Sequence, residues 1–198
     1  MQQSPLNSKR QPAGAAESLK TVRRNGGVLG ALLRLLLVAA FWNAGIRGGE
    51  SRAETAMPEY DLKAAFLSNF AQFVKWPKGG SGTIGILGDD PFGGKLDKAL
   101  RGKLSIRRSR RAEDLKDCQI VFVAKSERGN VGAIISSLGD ANVLTVGDSD
   151  GFARQGGVIG FTMDGDKVRF EINSAAARRA GLVISSKLLQ LASRVFNS

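Results

Sequence analysis

At 198 residues, with 42% hydrophobic and 24% charged side chains, the chain is long enough to bury one core and too balanced for a collagen, a coiled coil or a disordered tail. It has no histidine and a single cysteine, Cys118, so composition excludes histidine-based catalysis, histidine zinc sites, internal disulfides and thiolate metal cages. No cofactor is expected, and the formal net charge of +11 points to nucleic acid only until its distribution along the chain is considered.

Residues 1–53 read as a signal peptide and linker, and residues 54–198 as one folded domain. Lys9, Arg10, Lys20, Arg23 and Arg24 precede an apolar run from Val28 to Trp42, in the order of a secretory leader. Its uninterrupted part, Leu35 to Trp42, falls well short of the roughly 20 residues that span a bilayer, and Arg34 interrupts the longer version. Small residues offer two cleavage points, Ala44 and Ala53, of which the second is preferred. Arg23-Arg24 lacks the apolar follow-up of a twin-arginine signal, so ordinary secretion is expected. The leader holds 8 of the 29 basic residues and 2 of the 18 acidic ones, which leaves 21 against 16 and a net charge of +5. A protein of that charge outside the cytoplasm is not expected to bind nucleic acid.

The domain opens with helical spacing of Leu62, Phe66, Phe70 and Phe73, which predicts a helix over Pro58 to Lys75 with Glu59 and Asp61 in the favourable first turn. Trp76-Pro77 and a Gly-Ser loop end it. A strand is expected at Thr83–Leu87, a helix at Gly94–Arg101, strands at Leu104–Arg108 and Gln119–Ala124, a helix at Gly129–Leu138 and a strand at Ala141–Val146. This alternation implies an α/β domain with a mainly parallel sheet. Two further strands, Gly157–Met163 and Lys167–Asn173, flank Asp164-Gly165-Asp166 and read as a C-terminal β-hairpin. Asn173 is placed to cap a short helix over Ser174–Ala180, stopped by Gly181. Ile184, Leu188, Leu191 and Val195 then follow one helical stripe, so the chain is expected to end in helices packed on the sheet.

Few segments carry chemistry. The loop from Gly88 to Lys95 sits where open α/β sheets place phosphate turns, but Gly94 intervenes before Lys95 and Leu96 stands where a P-loop needs a hydroxyl. Asp89 and Asp90 would repel phosphate, so a structural turn is the expectation. Arg107, Arg108, Arg110 and Arg111 form the densest basic patch of the domain, read as a solvated strand end with an acidic partner as the functional alternative. Cys118 enters an apolar strand and reads as a small, inert thiol. Alternation puts Arg169, Glu171 and Asn173 on one sheet face, a ligand or partner surface unless it is merely solvated, with Asn173 capping the next helix. Lys187, beside the capping hydroxyls of Ser185 and Ser186, belongs with these candidates. Acidic pairs occur only in expected loops, without the face-to-face arrangement that glycosidase chemistry needs, and the chain is not expected to be an enzyme.

Taken together, Lys63 to Phe70, Phe73 to Pro77, Ile86 to Gly93, Gly156 to Ile159, Arg169 to Asn173 and Ile184 to Leu189, in that order, closely resemble the YfiR family. The resemblance spans about Tyr60 to Val195. It implies a single Rossmann-like domain in the periplasm, acting as a non-enzymatic regulator that binds the periplasmic sensor part of an inner-membrane diguanylate cyclase and holds it inactive, which lowers cyclic di-GMP and restrains biofilm growth. It also implies a tendency to form a homodimer. Redox sensing through internal disulfides does not carry over to a chain whose sole thiol is Cys118, which leaves the trigger open to an unidentified small-molecule effector. The competing reading is an exported solute-binding module with its pocket between the Gly88–Gly94 loop and the strand ends.

Overall fold

The computed structural model describes residues 58–77, 79–139 and 141–197. The leader assigned to residues 1–53 lies outside them. Helix α1 runs over Glu59–Phe73 and passes directly into β1, Val74–Lys75. There follow β2 (Thr83–Leu87), α2 (Lys95–Leu100), β3 (Ser105–Ser109), a 3-10 turn at Ala112–Leu115, β4 (Ile120–Val123), a second 3-10 turn at Lys125–Glu127, α3 (Val131–Leu138) and β5 (Leu144–Gly147). The hairpin β6 (Ile159–Asp164) and β7 (Lys167–Asn173) precedes α4 (Ser174–Arg179), β8 (Val183–Ile184), α5 (Ser186–Leu191) and β9 (Arg194–Phe196).

Seven strands form one sheet in the order β3-β2-β4-β5-β6-β7-β9, with β1 and β8 paired separately and antiparallel. The five strands from β3 to β6 are mutually parallel, β7 runs antiparallel to β6, and β9 runs parallel to β7. The mainly parallel α/β sheet and its hairpin are as expected. Gly165, at φ +56°, supplies the left-handed residue that the tight turn requires.

Period-two alternation divides the strands between two cores. Ile84, Ile86, Ile120, Phe122, Leu144, Val146, Phe161, Phe170 and Ile172 face one side, where they meet Ala64, Leu67 and Phe70 of α1. Four phenylalanines knit that contact: Phe70 lies edge-on to Phe170 at 5.3 Å between ring centroids, Phe66 to the same ring at 5.5 Å, and Phe161 stacks on Phe70 at 6.0 Å. Each such buried ring contributes about 2 to 3 kcal/mol relative to exposure. Leu87, Val121 and Val123 face the other side, with Val131, Ile134 and Leu138 of α3, Leu115 and Phe152. Gly147 and Gly157 are required here, because a Cβ on either would lie 2.4 and 2.0 Å from the ring of Phe152.

The chain end departs from the expected long helix. Ser185 caps α5 through a 3.3 Å bond from the Leu188 N–H to its hydroxyl, but α5 stops at Leu191 and Ala192 turns extended at ψ 139°. The Ser193 N–H and hydroxyl then both donate to the Phe170 carbonyl, at 2.8 and 2.9 Å, and Arg194–Phe196 pairs with β7. An apolar stripe of helical period was therefore overruled by the unpaired edge of β7, whose backbone groups need partners.

Candidate functional site

The parallel strands all point their C-terminal ends the same way, and the order β3-β2-β4 makes the β2/β4 gap the topological switch point, where open α/β sheets place ligands. Here the gap is filled by the chain itself. Gly88, at φ +91°, leaves β2 directly beneath the second 3-10 turn, and a Cβ there would lie 2.5 Å from Ser126 Oγ. The Asp89 N–H donates to that hydroxyl at 3.0 Å. Asp90 accepts from the Phe92 N–H at 2.7 Å, which turns the loop inward and buries Phe92 against Phe122 at 4.7 Å. The Gly88–Gly94 segment is thus a structural turn, as its residues suggested.

One strand further along, the same end of the sheet carries a buried polar cluster that sequence reasoning missed. Asp148 directly follows β5, and continuing the alternation of Leu144 and Val146 sends its carboxylate toward α1. There it accepts from the Tyr60 hydroxyl at 2.9 Å and from Lys63 Nζ at 3.3 Å. Lys63 also pairs with Glu59 one helical turn back, and its ammonium lies 4.6 Å from the Tyr60 ring centroid and 5.7 Å from that of Phe161. The Lys63 and Asp148 side chains are only 4% and 1% exposed. Burial first, then the hydrogen bond to Asp148, raises the Tyr60 phenol well above the usual tyrosine range. A phenol held neutral and a lysine held by two carboxylates offer no activated nucleophile or base. The cluster fastens the first turns of α1 to the sheet. Asp148 Oδ1 and Ser149 Oγ, both buried, complete it without a hydrogen-bond partner among the described residues. The available signal was Lys63 itself, a lysine on the stripe of α1 that otherwise carries Leu67 and Phe70.

The expected site residues fall into two groups. Arg107, Arg108, Arg110 and Arg111 line the end of edge strand β3, and each has an acidic partner in the chain. Arg107 pairs with Asp117 and donates to the Asp114 carbonyl at 3.1 Å. Arg108 meets Asp90 at 2.7 Å and Asp97 at 3.5 Å, Arg110 meets Asp89 at 2.8 Å, and Arg111 lies 3.9 Å from Glu113. The basic patch is therefore a mixed-charge edge, which shields an open strand from pairing.

Arg169 and Glu171 share the face of β7 opposite α1, as alternation required. Arg169 lies 3.7 Å from Asp164, and Glu171 lies 3.9 Å from Arg194 on the neighbouring β9. Asn173 turns inward: its carbonyl oxygen accepts from the Ala176 N–H at 2.8 Å, the expected cap, and its amide donates to the Ala153 carbonyl at 2.8 Å. Lys187 is exposed on α5, an element apart from β7. Cys118 is buried beneath Gly85, and burial pushes its thiol up, away from thiolate chemistry.

No curated protein sequence matches the chain. Among solved structures it is similar to a conserved domain protein from Vibrio cholerae O1 biovar El Tor, with 11% identity and a TM-score of 0.55, covering 69% of this chain and 60% of that one. It is also similar to an ABC domain in complex with L-Trp from Streptococcus pneumonia, with 12% identity and a TM-score of 0.52, again covering 69% and 60%. The chain thus spans about three fifths of the length of these structures, and at such identities the likeness shows the fold alone. Over residues 60–193 the sequence matches the YfiR/HmsC-like family model, a stretch that includes the Tyr60–Lys63–Asp148 fastening, the β3 edge and the β7 face, and the chain belongs to that family.

Proposed function

We propose that the chain is an exported regulator without catalytic activity. Residues 1–53 direct it across the inner membrane, and the domain of residues 54–198 binds the periplasmic sensor part of an inner-membrane diguanylate cyclase and holds it inactive, lowering cyclic di-GMP and restraining biofilm growth. Membership of the YfiR/HmsC-like family across residues 60–193 carries this reading, since that family is regulatory rather than catalytic. Inhibition then needs only differential affinity. Moving a receptor from mostly active to mostly inactive, 1:99 to 99:1, takes about 10⁴-fold tighter binding to the inactive form.

Two surfaces are the receptor-contact candidates. One is the β7–β9 face with Arg169, Glu171 and Arg194; the exposed Lys187, on α5, stands apart from it. The other is the β3 edge with Arg107, Arg108, Arg110 and Arg111; on either surface a partner would have to displace ion pairs already made there. The competing reading, a solute pocket at the Gly88–Gly94 loop, is disfavoured by the Ser126 hydroxyl seated over Gly88.

The test is capture of solubilised membrane proteins on the full chain, tagged at its C-terminus, together with cyclic di-GMP measurement in a deletion strain. Recovery of a membrane cyclase and a rise of cyclic di-GMP on deletion are expected. Recovery of the intact chain, leader included, from the cytosol, or unchanged cyclic di-GMP, would overturn the proposal.

A further inference from the structure

At the opposite end of the sheet from the Asp148 cluster, a groove of about 440 Å³ opens between α3 and α4. Ile135 and Leu138 of α3 form one wall, Ala176 and Ala180 stand across from them, and Val143 and Val158, at the entries of β5 and β6, form the floor. The walls are short on side-chain volume because Gly139, Gly156 and two alanines line them. Two polar groups point to an occupant. Thr145, 6% exposed, accepts the Val158 N–H at 3.0 Å, while its own hydroxyl hydrogen meets no acceptor among the described residues. Arg179 stands at the rim with no carboxylate or other hydrogen-bonding partner among the described residues, whereas its neighbour Arg178 donates to the Asn197 carbonyl at 3.1 Å.

An apolar trough of ligand size, closed at one side by a planar cation and provided with one buried donor, matches a molecule with an apolar body and a single carboxylate. We propose that this groove binds a small organic acid, with its carboxylate on the Arg179 guanidinium, its hydrocarbon part against Ile135, Leu138, Val143 and Val158, and any acceptor oxygen along the chain within reach of the Thr145 hydroxyl. The inference goes beyond the receptor reading and does not depend on it, because binding is asked of the chain alone.

The test titrates the full chain with sodium hexanoate, and with the neutral hexanamide as its matched control, by calorimetry and by two-dimensional NMR of the backbone amides. Saturable hexanoate binding is expected, with shifted amides confined to residues 135–145, 156–158 and 176–180. Hexanamide should bind at least about tenfold more weakly, and Arg179→Gln should weaken hexanoate about tenfold while leaving hexanamide unchanged. Equal affinity for acid and amide, an Arg179→Gln variant that binds hexanoate like the parent, or shifts clustered at the Gly88–Gly94 end would each overturn the site. None of these results bears on cyclase capture, so the two proposals fail separately.

Discussion

Two clusters of charge occupy the same end of the sheet and behave in opposite ways. The arginine-rich edge of β3 is conspicuous in sequence, yet most of its pairs sit in water: the Arg110 and Asp89 side chains are 83% and 70% exposed, and only Asp90, beside Arg108, is largely covered, at 16%. The Tyr60–Lys63–Asp148 cluster involves one lysine and one aspartate far apart in the chain, and both are almost wholly buried. Exposed pairs are screened and lose side-chain entropy, and each contributes about 0 to 1 kcal/mol. A buried pair has already lost its hydration, so removing one partner strands the other. The density of charge in a sequence therefore says little about which charges hold the fold.

Lys63→Met breaks the comparison at its strongest point. It leaves the Asp148 carboxylate buried with the Tyr60 hydroxyl as its one remaining donor among the described residues. The expected cost is about 3 to 5 kcal/mol in urea denaturation at neutral pH. Lys63→Met with Asp148→Leu should recover more than half of that loss, because an apolar pair of similar size needs no solvation. A single variant that loses less than about 1 kcal/mol would show that the cluster is held by packing and not by charge.

Tyr60 sharpens the contrast through pH. Its phenol is held protonated by burial and by Asp148, so the folded pKa lies above the unfolded value of about 10. The stability linked to this group is fully present below about pH 10 and is lost as pH rises toward the folded pKa, since only the unfolded chain releases the proton in that window. The chain has a single tyrosine, so phenolate absorbance reports on this residue alone. Absorbance should stay flat through pH 10 and rise together with loss of structure. Tyr60→Phe should cost about 1 to 1.5 kcal/mol at pH 7 and should flatten the alkaline decline. Free titration of the phenol near pH 10 in the folded protein would contradict the hydrogen bond to Asp148.

The same division marks what could be read before the structure. The parallel strands, the hairpin, the Asn173 cap and the inert Cys118 follow from local pattern, because alternation, turn chemistry and capping act over a few residues. β9 did not, because Arg194-Val195-Phe196 is too short to display a period and is a strand only where β7 offers an edge. The closure of the switch point by Ser126 was equally hidden, since it depends on the chain returning to Asp89 after 37 positions. Of the candidate residues, Arg169 and Glu171 share a sheet face, Asn173 serves the interior, and Lys187 stands on a separate helix. Lys63 and Asp148 were passed over because a lone lysine on an apolar stripe acquires meaning only when its partner, 85 positions later, comes within 3.3 Å.

The smallest expected effect tests the other side of the comparison. Arg108→Ala and Arg110→Ala should each change stability by no more than about 0.5 kcal/mol, and raising the ionic strength should erase even that difference. Arg107 is instructive beside them, because its hydrogen bond holds the Asp117 carboxyl below the usual range. Stability linked to Asp117 is present above its unfolded pKa and disappears as pH falls through the lowered folded value, so any contribution of this edge should fade only in acid. Charge reversal at Arg108 and Arg110 would then separate stability from recognition. If the fold is unchanged and capture of the proposed membrane receptor is also unchanged, the β3 edge is protective alone, and the β7–β9 face is the remaining one of the two proposed surfaces. If capture is lost while the fold stands, the acidic partners at Asp89, Asp90 and Asp97 hold the edge ready for exchange with a receptor's own carboxylates, and the exposed cluster has a role in binding that its small energies would never reveal.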